Sequence, residues 1–366
     1  MKTSHAISAS TLLAVTVALL GTAGCGSDND GGSRKSKAGS STSSSSEGNS
    51  PKGDGSRTGK NTKTRGPVTV SQANALVDRY EKLNNKANKS RSADLNATFE
   101  SGALRRQSLA QFRQYPALTK KEQRDYGKPF TYADRKFHIP ADREWFMADV
   151  LGKGSGFGKK DRRVLVFDRG SADGRWKMVA AVNITTFPKV SENADGTAQA
   201  AAPTRKNGVL APADLTDAVN DLMETGGTAK ARTTLADTPV AKTTRSWYTD
   251  RNKKLSGAAV AYKGMKTPYD EVYALRTGNG VVAVFNGAVR SVERSTTNYI
   301  RPSKATSVYT GPEQSTFFQL DYLYQGIATI PDTGKAELLG RDSEMTGAAR
   351  TPTGGEYTQS PPRSGS

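Results

Sequence analysis

The run Tyr269–Phe285, YDEVYALRTGNGVVAVF, holds two short stretches of aliphatic and aromatic residues separated by Thr277-Gly278-Asn279-Gly280. Glycine and asparagine tolerate the positive φ that a two-residue hairpin turn demands, so a Gly-Asn pair between two such stretches predicts antiparallel strands joined by a tight turn. An earlier segment has the same form. There DREWFMADVLG (142–152) followed by RRVLVFD (162–168) parallels YDEVYALRTG followed by VVAVF. Two hairpins of one design in one chain point to two halves of one architecture.

Outward from each hairpin the pattern changes from period two to helical period. In the second half Leu215, Ala218, Val219, Leu222 and Met223 follow i, i+3, i+4, i+7, i+8, and a looser helical region spans 240–252. GAAVAYKG, GVVAVFNGAVRSVER and TFFQLDYLYQGIATI complete its strands. In the first half Ser71 is placed to cap a helix carrying Leu76, Val77, Tyr80, Leu83 and Ala87, and a second helix falls near 103–115. FTYADRKFHI and GRWKMVAAVNI add strands on either side of the first hairpin. In GRWKMVAAVNI, Trp176, Met178, Ala180, Val182 and Ile184 alternate as a strand with one buried face does. Helices that precede a run of antiparallel strands define an α+β class, with helices on one face of a curved sheet.

The N-terminal region is of a different kind. Lys2 precedes the apolar run Ile7–Leu20, which is short for a membrane span and reads as an export signal. It ends at Thr22-Ala23-Gly24-Cys25, and Cys25 is the only cysteine among the 366 residues. This tetrapeptide resembles a bacterial lipobox, in which the cysteine sulfur takes a diacylglyceryl group and becomes the new N-terminus. An uncleaved anchor and ordinary cleavage near Ala23 are the alternatives. Lipidation implies stable attachment to the extracytoplasmic face of the cell membrane, since two acyl chains hold where one binds marginally. With no second cysteine there is no disulfide, and the folded part relies on core burial.

Residues 25–66 are Ser, Gly, Lys, Asn and Thr with almost nothing apolar to bury, so they read as a tether with an r.m.s. span of roughly 35 Å. The expected organisation is a signal peptide over 1–24, the lipidated cysteine and tether over 25–66, and a first α+β unit over 67–190. A linker over 191–209, a second unit over 210–345 and a disordered tail over 346–366 follow. With its lipobox, its element order and its Ala/Gly/Arg/Thr-rich composition, the chain resembles actinobacterial secreted lipoproteins with an uncharacterised C-terminal domain. The folded part is similar to tandem NTF2-like or cystatin-like units. That resemblance implies a cone whose concave side can hold a ligand, with Trp145, Trp176, Tyr273, Phe285, Tyr322 and Tyr324 as the aromatic candidates for its lining.

The residues restrict the chemistry. His5 leaves with the signal, so His138 is the only mature histidine, and lipidation consumes the one thiol. A His/Cys metal site lacks ligands, and Ser–His or Cys–His catalysis would have to run through His138. GKGSGFGKK (152–160) has neither P-loop nor dinucleotide spacing and reads as a hairpin tip. No cofactor signature is present. The formal charge of +18 favours anionic neighbours, and Lys153, Lys159, Lys160, Arg162 and Arg163 form the densest basic group, a candidate contact for an anionic wall polymer. Export and the lack of a recognition-helix or RNP pattern speak against nucleic acid. The expectation is a non-enzymatic envelope protein that binds a partner protein, a small apolar ligand or a wall polymer. The alternative is a hydrolase or isomerase working through carboxylates and tyrosines in the cone.

Overall fold

The computed structural model describes residues 66–154, 156–253 and 257–351. The expected signal peptide, Cys25, the tether up to residue 65 and the chain beyond 351 lie outside the described residues. The first half runs α1 (Val70–Ser90), α2 (Ala93–Ala97), α3 (Gly102–Gln114), α4 (Lys120–Tyr126), β1 (Phe130–His138), β2 (Trp145–Gly154), β3 (Arg162–Asp168) and β4 (Lys177–Ile184). The second runs α5 (Leu215–Glu224), α6 (Ala231–Thr234), α7 (Pro239–Thr249), β5 (Ala259–Met265), β6 (Tyr273–Thr277), β7 (Gly280–Arg294), α8 (Lys304–Thr310), β8 (Phe317–Pro331) and β9 (Glu337–Arg350). The class is α+β, with two antiparallel sheets.

β1 to β4 form a meander in chain order, and the second sheet has the order β5-β7-β8-β9 with β6 also paired to β7. The hairpin that opened the sequence reading is β6–β7, closing at Thr277 opposite Gly280. Register breaks opposite Ala133/Lys136 and Val166/Phe167, and again at Asp321/Tyr322 and Ile327/Ala328, bend the strands.

α1 begins one turn-position before the expected cap. Thr69, not Ser71, receives the Gln72 amide at 3.2 Å while the Gln72 side chain accepts from the Thr69 amide at 2.8 Å. The pair is reciprocal, so two orphan donors are satisfied by a Thr-x-x-Gln box, and Ser71 is already the second residue of the helix. The alternation read in GRWKMVAAVNI also breaks. Val166 faces Ala180 and Phe167 faces Met178, leaving Val179 as the extra residue. Met178 therefore packs with α1 on the helix side, while Ala180, Val182 and Ile184 pack on the opposite side against the second sheet.

That opposite side is an apolar layer shared by the two sheets, in which Met147, Val164, Val166 and Val182 meet Leu275, Val282, Val284 and Ile327. On its other face the second sheet is covered by α5 and α7, with Leu215, Ala218, Val219, Leu222 and Met223 all completely buried. β4 is an edge strand whose outward backbone groups are met by side chains of the second sheet. Ala181 N–H donates to Gln325 Oε1 at 3.1 Å, Gln325 Nε2 donates to the Val179 carbonyl at 2.9 Å, and Asn183 N–H donates to Asp342 Oδ2 at 2.8 Å. Amide and carboxylate thus stand in for a fifth strand and leave the edge no backbone to offer another chain.

Two boundaries differ from the sequence reading. β9 continues to Arg350, five residues into the stretch expected as a tail, because its Phe318-to-Thr329 partners on β8 hold it in a ladder. Residues 191–209 are tied along their length by bridges from Ala198 to Pro140 and from Ala200 to Leu275, and Ala198 and Ala201 are buried.

Candidate functional site: a polar cavity beneath the first helices

On the helix side of the first sheet the core is interrupted by a cavity of about 160 Å³. α1 presents Tyr80, Asn84 and Asn88 to it, three residues at i, i+4 and i+8 and therefore on one helical face. α3 presents Leu104, Gln107, Ser108 and Gln111. From the sheet come Arg163, Ala181 and Asn183, and from β9 come Asp342, Ser343 and Glu344. A helix face that packs on a sheet is ordinarily apolar; here it is amide and phenol.

The charged groups are held in place by hydrogen bonds. Glu100 is buried and accepts from Tyr80 Oη at 2.9 Å and Asn96 Nδ2 at 2.7 Å. Glu344, 7% exposed, accepts from Gln114 Nε2 at 2.8 Å and Gln111 Nε2 at 3.1 Å. Arg163 Nε donates to Asn183 Oδ1 at 2.7 Å, and Asn183 Nδ2 donates to Asp342 Oδ1 at 3.1 Å, so one amide relays between guanidinium and carboxylate. The Arg163 guanidinium also lies 4.7 Å from the centre of the Phe157 ring.

Burial disfavours the charged form of each carboxyl. It pushes Glu344 up to about 7 against the two glutamine bonds, and it raises Glu100 against the bonds from Asn96 and Tyr80. Asp342 is raised for the same reason, with the charge of Arg163 opposing. Asn84 is different. It is only 7% exposed, it lines the cavity, and its side-chain amide has no hydrogen-bond partner among the described residues. Its amide is not fully enclosed, since the enclosed unpartnered side-chain atoms among the described residues are Asn96 Oδ1, Arg105 Nε and His138 Nε2, so it is open to whatever fills the cavity.

The aromatic residues expected to line a cone lie in three other places. Trp145 and Tyr273 meet edge-on at 5.4 Å between the sheets, where Tyr273 Oη donates to Asp168 at 2.7 Å. Trp176 packs 5.3 Å from Phe146, on the helix side of the first sheet. Phe285 and Tyr324 fill the core under α5, each opposite a glycine of the neighbouring strand: Phe285 faces Gly326 and Tyr324 faces Gly287. A Cβ on Gly287 would meet the Tyr324 ring at 2.2 Å, so the glycine is what admits the ring. Tyr322 stacks edge-on against Trp247 at 5.1 Å. None of the six lines the cavity.

The five basic residues also separate. Lys153, Lys159 and Lys160 are exposed around the β2–β3 hairpin tip. Arg162 is locked between Asp149 at 2.8 Å and Asp134 at 2.6 Å, and Arg163 faces the cavity. Adjacent strand residues point to opposite faces, so the pair cannot act as one surface patch. His138 packs 5.0 Å from Phe187 with Nε2 buried and unpartnered, and burial lowers it to about 4. The cavity residues that the sequence reading missed, Asn84, Glu100 and Glu344, carry one detectable signal: Asn84 and Asn88 continue the helical stripe that Tyr80 begins.

Residues 64–350 match a protein family described as a domain of unknown function, DUF8094. The chain is 24% identical over 302 residues to one uncharacterized lipoprotein of Streptomyces coelicolor, covering 78% of this chain and 83% of that protein. A second uncharacterized lipoprotein of the same organism is 25% identical over 292 residues, covering 76% and 85%. No solved structure matches the chain at a significant level. Among the described residues no helix is long and apolar enough to cross a membrane.

Proposed function

We propose that this chain, which belongs to the DUF8094 family, is a lipid-anchored protein of the cell envelope that binds a small polar ligand in the cavity beneath α1 and α3. Anchoring is through Cys25, and it is supported by the lipobox and by the lipoprotein names of both relatives. In this reading the halves are NTF2-like or cystatin-like units, each with helices ahead of a bent antiparallel sheet. The role is binding and not catalysis, and the tether sets the folded part off the membrane surface, within reach of wall material.

The observation that carries the ligand is the polar wall itself: Tyr80, Asn84 and Asn88 of α1 and Gln107 and Gln111 of α3 turn phenol and amide groups into the cavity, where a helix face on a sheet is ordinarily apolar. A ligand with hydrogen-bonding groups can use such a wall, and Asn84, for which no side-chain hydrogen bond is found among the described residues, has its donor and acceptor unspent. A volume near 160 Å³ matches the cavities of about 150 Å³ that hold one benzene-sized molecule. Its walls ask for a polar occupant, which departs from the small apolar ligand expected from sequence and keeps only its size.

Two measurements test the two parts. Cys25→Ala is expected to move the protein from the membrane fraction to the soluble fraction; retention in the membrane would remove the anchor. A thermal-shift screen of the full chain against small polar metabolites is expected to yield stabilising compounds whose effect vanishes in Asn84→Leu. A screen without such compounds, or one whose compounds act equally on that variant, would remove the cavity.

A further inference from the structure

The protein carries a net charge of +18, yet this cavity is lined by four acids, Glu100, Asp125, Asp342 and Glu344, and by two bases, Lys128 and Arg163. The sign inside the cavity is opposite to that of the molecule. Two of the acids are already matched. Asp125 bonds Lys128 at 2.6 Å and Lys121 at 3.0 Å on the rim, and Asp342 is joined to Arg163 through Asn183.

Glu100 and Glu344 are left over. Both are buried, and among the described residues neither makes a salt bridge, Glu100 feels the charge of Arg105 at a distance, and no cation acts on Glu344. Their partners are neutral donors: a phenol, an amide and the Ser108 hydroxyl for Glu100, two glutamine amides for Glu344. Neutral donors orient a carboxyl but do not balance the charge of its ionised form, so burial holds both groups toward the protonated form, and a cation in the cavity would favour the ionised one. The same walls carry the rings of Tyr80, Tyr126, Phe130 and Phe157, whose faces are electron-rich. Asn84 adds an amide oxygen free to accept a hydrogen bond.

Building on the ligand-binding reading above, we propose that the cavity takes a small organic cation, a primary ammonium or guanidinium group, with Glu100 and Glu344 as its counter-charge and Asn84 as an acceptor. Each feature answers one property of such a group: fixed positive charge, N–H donors, and a hydrated surface that aromatic faces can replace. An anionic ligand would meet two carboxyls without a salt bridge and only Lys128 and Arg163, which Asp125 and Asp342 already offset. A neutral ligand would leave the charge of the cavity as it is.

The test compares three molecules of nearly one shape, n-butylammonium, n-butanol and butyrate, titrated calorimetrically into the full chain. A ligand with five or six heavy atoms has a dissociation constant on the scale of about 1 mM. n-Butylammonium is expected to bind at least about tenfold more tightly than the alcohol or the carboxylate. Glu344→Gln is expected to weaken it about tenfold while leaving n-butanol unaffected, with the melting curve of the variant verifying its fold.

The comparison of probes on the unaltered chain needs no variant, so a poorly folding Glu344→Gln leaves the outcome readable. Equal or stronger binding of butanol or butyrate overturns the cation while the cavity stands as a ligand site. Ammonium binding that survives a folded Glu344→Gln unchanged places the cation elsewhere and also overturns it. If none of the three binds, the cation is overturned, and the Asn84→Leu screen decides separately whether the cavity holds any ligand.

Discussion

Asn84 and Asn220 sit on the sheet-facing sides of α1 and α5 and are nearly equally buried, at 7% and 8% exposure. Asn220 accepts from Tyr324 Oη at 2.9 Å, and Tyr324 itself is completely buried in the core under α5. Asn84 faces a cavity and has no partner among the described residues. Beside Asn220, Asp221 is likewise spent on structure, since its carboxylate accepts from the amides of Lys230 at 2.7 Å and Ala231 at 2.8 Å. The two halves thus use one residue type in one position for different ends. In the second half buried polarity closes the fold, and in the first it is left open. Equal burial does not mean equal purpose; the partner list separates them.

The contrast is broken most sharply through apolar residues. Leu222→Ala, in the sealed core under α5, is expected to cost about 3–5 kcal/mol in denaturant unfolding, because a completely buried leucine leaves a cavity that rigid neighbours cannot fill. Leu104→Ala, on the wall of the existing cavity, removes a side chain with fewer contacts to lose and is expected to cost about 1–2 kcal/mol. If both cost the same, the first half is packed as tightly as the second and the cavity has no energetic reality.

Much of this difference was hidden from sequence for a physical reason. Periodicity finds apolar faces, so α5, β7 and β8 were legible nearly to the residue, and the hairpin at Gly278-Asn279 was legible from turn chemistry. β9 was not. Its Gly340, Arg341, Asp342, Ser343 and Glu344 break the alternation that marks a half-buried strand, because that segment meets α3, β4 and the cavity instead of a uniform core. The residues that erase the strand signal are the ones that build the site. α1 was found through Val77, Tyr80 and Ala87, but reading its stripe as purely apolar passed over Asn84. Arg163 was noticed only as part of a charge run, since a run in sequence does not reveal which side chain turns inward.

The cavity is also expected to respond to pH where the sealed core does not. Glu344 is raised to about 7 in the folded protein, against about 4.3 in an unfolded chain. Between those values the native state keeps a proton that the unfolded state has lost, so stability is full below about pH 4.3 and falls as pH rises through 7. The loss attributable to this one group across the whole window is roughly 3–4 kcal/mol. Glu100 and Asp342 are shifted in the same direction, so the informative quantity is the wild type minus Glu344→Gln, measured at pH 5 and pH 8. A difference that does not change between the two pH values would mean that Glu344 is charged throughout and well solvated.

The smallest effects are the most diagnostic, because they differ in sign. Asn220→Ala removes the acceptor of the Tyr324 hydroxyl, which keeps only the Thr216 carbonyl at 3.2 Å, and is expected to cost about 1 kcal/mol. Asn84→Ala breaks no hydrogen bond. Both changes gain about 0.5 kcal/mol of helix propensity, which cancels between them. In the ligand-free protein Asn84→Ala therefore loses no side-chain partner and is expected to stabilise by about 0.5 kcal/mol, as removal of a group kept for binding does. Stabilisation at one asparagine and destabilisation at the other would separate a binding position from a structural one without knowledge of the ligand. A loss at both positions would mean that Asn84 has a structural partner after all, and the open half of the molecule would then be as closed as the other.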